Sequence, residues 1–157
     1  MKFNSREDIE VPIDVVYSQL SDFVAFERRA LRHGVQVTWQ NADPSMPAQA
    51  GTKWQINLKF RGRNRSLVAE LVRLDPPNGY QIEAASDGMN ITTDVELIAL
   101  SRTRTRVMVG MDLRARSLTA RLVLQSMKLA KSKLAKRFRV RVLEFTEDIE
   151  DDYRKRR

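Results

Sequence analysis

Few side chains in this 157-residue chain are of a type and placement that could do chemistry. Lys131 is the oddest, because it interrupts an apolar helical stripe between Met127 and Leu134. An ammonium there either snorkels to the edge of its interface or turns inward to meet a carboxylate or phosphate. Glu70 lies on a strand with apolar residues on both faces, where Ser66, Val68, Val72 and Leu74 compete with Leu67, Ala69 and Leu71 for the inner side. Turned inward, its carboxylate would need a partner and its pKa would rise. An outward Glu70 is the preferred reading. Thr93, between Ile91 and Val95, and Ser86, in register with Ile82 and Ala84, place small hydroxyls on apolar faces. Trp39 and Trp54 each bring one indole N–H donor. His33 is the only histidine and follows a short helix beside Gly34, where a cationic imidazole is favourable.

Composition narrows the chemistry further. Without cysteine there is no disulfide, thiolate nucleophile or cysteine metal site. One histidine rules out multi-histidine metal centres. Neither "GMN" nor "GTKW" is a phosphate-binding loop, and no cofactor is expected. At 42% hydrophobic and 31% charged, the chain can bury a core as a single domain over residues 1–157. The N-terminal MKFNSREDIE has no apolar leader and no stretch of about 18 apolar residues occurs, so the expectation is a cytoplasmic protein.

The elements that must position these groups follow from periodicity. "DIEVPIDVVYSQLSDFVAFERR" (8–29) reads as the end of a strand, a proline that suits a first helical turn, and two short helices separated at Ser21-Asp22. Strands follow at 35–39, 52–60, 66–74, 80–86, 89–97 and 106–113, with turns such as Asp75-Pro76-Pro77-Asn78-Gly79 and Asp87-Gly88 between them. With the first strand that makes about seven, and the short loops favour antiparallel neighbours. From Ser117 the period changes to 3.6. Ala120, Leu124, Met127, Leu134, Phe138, Val142, Phe145 and Ile149 share one stripe, which predicts a long helix over about 117–150 and a short charged tail at 151–157. Such a helix needs the sheet to lie across.

The net charge of +8 is concentrated: residues 102–143 hold thirteen basic side chains and one acidic. The block from Arg102 to Arg141 is either a solvated surface or an attractor of anionic partners. Near a charged bilayer each such residue contributes about 1 kcal/mol. The block has no interleaved aromatics or recognition helix, which ranks nucleic acid below an anionic membrane or acidic protein. The acidic run Glu144–Asp152 could meet the basic block of a second copy in a homodimer.

The order of elements is α+β: a strand, two helices, a six-stranded meander and a long last helix. Here "IEVPIDVVYSQLSD", "LVRLDPPNGYQIE", "SRTRTRVMVGMDL" and the final helix resemble the SRPBCC superfamily (START-like, Bet v 1-like, polyketide cyclase/dehydrase-like). The resemblance implies a helix-grip fold, a curved sheet around the long helix with an apolar cavity between them, used by relatives for lipids, hormones, quinones or polyketide intermediates. On that footing the cavity wall comprises Trp39, Trp54, Ile56, Leu58, Ile82, Ile91, Thr93, Val95, Leu124, Met127 and Lys131. The leading expectation is binding or transport of an apolar or amphipathic small molecule. The alternatives are a cyclase or dehydratase in which His33, Glu70 or Thr93 moves protons, and a module that docks through its basic region.

Overall fold

The computed structural model describes residues 1–156. Strand β1 (Lys2–Ile9) leads to Pro12, and α1 (Ile13–Leu20) starts directly after it. Asp22 then caps α2 (Phe23–Arg32), its carboxylate accepting the Ala25 amide at 3.1 Å. The meander comprises β2 (Gln36–Trp39), β3 (Lys53–Phe60), β4 (Arg63–Asp75), β5 (Gly79–Ser86), β6 (Met89–Ser101) and β7 (Arg104–Ala115). All seven strands join one antiparallel sheet in the order β1-β7-β6-β5-β4-β3-β2. Sequence neighbours pair from β2 to β7, and β1 is added beside β7.

Alternation sets the inner face. Trp54, Ile56, Leu58 and Phe60 share one side of β3, each opposite an inward position of β4. The two-faced apolar pattern of β4 has a geometric cause. Pairing steps from Leu71–Ile82 to Arg73–Gln81, so a bulge at Val72 reverses the phase of the strand. Leu67, Ala69 and Leu71 before the bulge, and Leu74 after it, therefore face the core. Glu70 points outward and pairs with Lys53 at 3.7 Å.

The last helix differs from the single element expected. It is two: α3 (Leu118–Lys128) against β7, and α4 (Lys131–Lys155) against β1 and α1. The break at Leu129–Ala130 contains no glycine or proline and no side-chain cap. Its origin is tertiary, since one apolar stripe must serve two strands at different places on a twisted sheet. The stripe itself is kept: Ala120 and Ile149 are buried, and Leu124, Met127, Leu134, Phe138, Val142 and Phe145 half-buried. The tail expected at 151–157 is helical through Lys155, and Arg157 lies outside the described residues.

One end of the inner face is filled solidly. Val11, Val16, Leu20, Trp54, Leu71, Tyr80, Val107 and Ile149 are buried together there. Phe23 packs on Trp54 and on Tyr80 with ring centroids 5.2 Å apart in both cases, and Phe26 stacks on Phe145 at 5.2 Å. The Tyr80 hydroxyl donates to the Leu20 carbonyl at 2.7 Å, and burial pushes its pKa well above the ordinary phenol value. That bond fastens the end of α1 to the centre of the sheet.

Candidate functional site

The opposite end of the inner face holds an apolar cavity of about 230 Å³. Leu58, Leu67, Ile91 and Leu113 form its floor on the sheet, and Ala120, Val123 and Met127 of α3 form its roof. Ligand pockets usually run to roughly 300–1,000 Å³, so this partly open cavity holds about a small ring or short acyl chain within its walls. A larger groove of about 500 Å³ lies beside Gln36, Asn57, Lys59 and Asn64. Its amide and lysine walls are well solvated, and it offers little apolar surface to a guest.

Two turns of the sheet hold α3 over the cavity. Ser117 caps the helix, its hydroxyl oxygen accepting the Ala120 amide at 3.1 Å. Gly88, in the β5–β6 turn with φ +72°, lies against Ser117, and a Cβ there would run into the serine hydroxyl. At the other side Arg61, in the β3–β4 turn, donates to the Ser126 hydroxyl at 3.0 Å. Arg116 donates to the Ser86 carbonyl at 3.2 Å, tying the approach to α3 to the end of β5.

Two charged side chains, Arg65 and Asp87, line this otherwise apolar space. Arg65 pairs across the strands with Leu58 and so faces inward with it. Its Nε is buried and has no hydrogen-bond partner among the described residues. No carboxylate among the described residues lies within ion-pair distance of it. An unpaired, desolvated guanidinium N–H costs free energy that a carboxylate or phosphate offsets by accepting from the planar fork. Asp87 and the Ser86 hydroxyl, which donates to the Ser66 carbonyl at 2.8 Å, complete the polar rim.

Of the wall residues expected from the sequence, Leu58, Ile91 and Met127 line this cavity. Trp54 and Val95 are instead buried in the packed end, with Trp39, Ile56 and Ile82 against them. The Trp39 indole donates to the Glu27 carboxylate at 3.1 Å rather than facing a ligand. Thr93 is half-buried between Ile82 and Met111 on neighbouring strands, and Leu124 is half-buried on α3. Lys131 is exposed at the start of α4, because the helix break falls just before it. His33 is exposed at the C-cap of α2 and Glu70 is outside the sheet, so His33, Glu70 and Thr93 do not converge. Arg65 was not among the expected residues. Its signal was available: carrying the Leu71-Ala69-Leu67 alternation back two residues, past Ser66, reaches it.

Of the basic block, Arg106 forms a bidentate pair with Asp8 at 2.9 and 3.2 Å, which holds that carboxyl below its ordinary range. Arg114 pairs with Asp112 at 2.9 Å. Among the described residues no group of three or more metal-ligating side chains occurs, and no helix is long and apolar enough to cross a membrane.

No protein-family model matches the chain, and no curated protein does. Solved structures do. The Zhui aromatase/cyclase from Streptomyces sp. R1128 superposes with a TM-score of 0.66 at 12% identity, over 96% of this chain and 93% of that one. Norcoclaurine synthase from Thalictrum flavum, in complex with dopamine and hydroxybenzaldehyde, gives 0.64 at 7% identity, over 96% and 87%. Ara h 8.0201 gives 0.55 at 12% identity, over 96% and 95%. The order of the seven strands, the helix pair after β1 and the final helix laid on the inner face are thus those of the helix-grip fold, which the chain shares with these structures.

Proposed function

We propose that this protein binds a small amphipathic molecule, its apolar part in the cavity under α3 and its anionic group on Arg65. The observation that carries the reading is the Arg65 guanidinium, whose Nε is buried at an apolar cavity with no hydrogen-bond partner among the described residues. Apolar walls supply affinity in proportion to area removed from water, and one charged fork fixes orientation. Of the lipid, quinone and polyketide classes named by resemblance, the smallest members match a cavity of about 230 Å³. The arginine favours the members of those classes that carry a carboxylate or phosphate. Norcoclaurine synthase, whose structure holds dopamine and hydroxybenzaldehyde, lends the small-ligand reading support from fold alone.

A cyclase or dehydratase needs titratable groups gathered around the substrate. The cavity offers Arg65 and, at its rim, Asp87, while His33 and Glu70 lie elsewhere. Binding is therefore the reading supported best. Native mass spectrometry of the purified protein, then extraction, identifies any co-purifying molecule. Calorimetric titration with a series of short-chain carboxylates and the alcohols of equal length tests the arginine. The carboxylates bind at least tenfold tighter than the alcohols, and Arg65→Met abolishes the difference. An unloaded protein that binds neither series, or an Arg65→Met variant that keeps the preference, would overturn the proposal.

A further inference from the structure

The outer side of α3 carries a second row of apolar side chains, with Gln125 among them. Leu118, Leu122 and Leu129 follow one another at four- and seven-residue intervals and so share a single face. They are 72%, 58% and 93% exposed. The opposite face carries Ala120, Val123 and Met127 over the cavity. Exposed leucines interspersed with Arg121, Gln125 and Lys128 give this side of the helix an amphipathic surface, and no described residue covers the leucines. Phe60, at the end of β3, adds an exposed ring beneath the guanidinium of Arg61, the same Arg61 that is bonded to α3 through Ser126.

Charge indicates what belongs on this face. Residues 113–143 contain ten lysines and arginines and no aspartate or glutamate. Arg121 and Lys128 flank the leucine stripe on α3, Lys131 and Lys133 follow the break, and none of the four has an ion-pair partner among the described residues. Exposed leucines bordered by unpaired cations are the pattern of a helix that lies in the headgroup region of an anionic bilayer. An acidic protein would match the cations. Three leucines on one convex helical face, with no groove between them, fit a fluid apolar layer better than a folded partner.

We propose that α3 and the Leu129–Ala130 break form a docking surface for an anionic membrane. In the docked state the roof of the cavity lies in the bilayer interface, so an amphipathic molecule passes between lipid and cavity with little exposure to water. The docking itself does not require that the cavity be loaded, so it stands or falls separately from the ligand reading.

Flotation with vesicles made of equal parts phosphatidylcholine and phosphatidylserine tests it, using the whole chain. The protein floats with these vesicles, but not with phosphatidylcholine alone, and high salt releases it. Replacing Leu118, Leu122 and Leu129 together by glutamine weakens binding at least tenfold, with the melting temperature kept to show that the variant is folded. The charge reversals Arg121→Glu and Lys128→Glu weaken it comparably. Three results would overturn the proposal: absence of flotation, a leucine variant that binds like the parent, or a sedimentation-stable dimer that the leucine variant converts to monomer. The last would assign the face to a second copy of the chain.

Discussion

The two ends of the inner sheet face are built from the same alternating strands and end up with opposite properties. At one end α1, α2 and α4 bring Phe23 onto Trp54 and Tyr80 and stack Phe26 on Phe145 in a packed aromatic cluster. At the other end α3 alone bridges the sheet, and Leu58, Ile91 and Leu113 face a cavity. The floor is equally apolar in both. What differs is the number and bulk of the elements laid on it. This domain therefore keeps its densest packing and its cavity in separate places, and a change at one should leave the other largely intact.

The sharpest way to break that comparison is a matched pair of truncations. Leu71→Ala, at a fully buried position of the filled end, is expected to cost about 2–5 kcal/mol in urea denaturation. Met127→Ala, on the cavity roof, is expected to cost below about 1 kcal/mol, as for partly solvated positions. Equal losses would mean that the two ends are one cooperative core.

Next in size is the fastening of each end. Tyr80→Phe leaves the Leu20 carbonyl without its donor and should cost about 1–2 kcal/mol. The same tyrosine imposes a pH signature. Its folded pKa is raised by burial, and that of Tyr17 is raised too, by burial and by Asp75. The unfolded chain releases these protons near pH 10 while the folded protein still holds them, so stability is intact below about pH 10 and falls as pH rises beyond it. Thermal melts across the alkaline range read this slope, which Tyr80→Phe flattens. At the open end, Gly88→Ala forces a Cβ onto Ser117 at positive φ and should cost about 1–2 kcal/mol. Its distinguishing effect is on affinity for the proposed ligand, because it displaces the start of α3.

The smallest expected change in stability is at Arg65. Replacing a half-buried arginine whose Nε lacks a partner by methionine should leave the melting temperature unchanged or slightly raised, even though it removes the proposed anion binding. A protein that stabilises when its candidate site is erased would sharpen the separation of the two ends.

The strand framework was legible because alternation and turn chemistry agree, as in Trp54-Gln55-Ile56-Asn57-Leu58 before the Arg61-Gly62 turn. The reading ran out where tertiary packing overrides local pattern. The bulge at Val72 blurs which face of β4 is inner, and a strand read from Ser66 after a turn at Arg61–Asn64 leaves Arg65 assigned to neither. The division of the last helix has no local mark, since Leu129-Ala130 is a good helical dipeptide and only the two packing sites part it. The cavity's position depends on which end α1 and α2 occupy. Trp54, Ile82 and Val95 were consequently placed on a cavity wall when they belong to the filled end.

The break at Leu129–Ala130 also has a consequence for time scales. With no cap at Ala130, and its sheet side anchored through Ser117 and Arg61, α3 is a short cooperative unit whose release leaves Leu71, Val107 and the aromatic cluster covered. Amide hydrogens of residues 120–128 should then exchange through a local opening far more often than those of β6 and β7, which wait for the whole molecule to unfold. Exchange of guests through this end would accordingly run on the clock of one eleven-residue helix, many times faster than the lifetime of the fold.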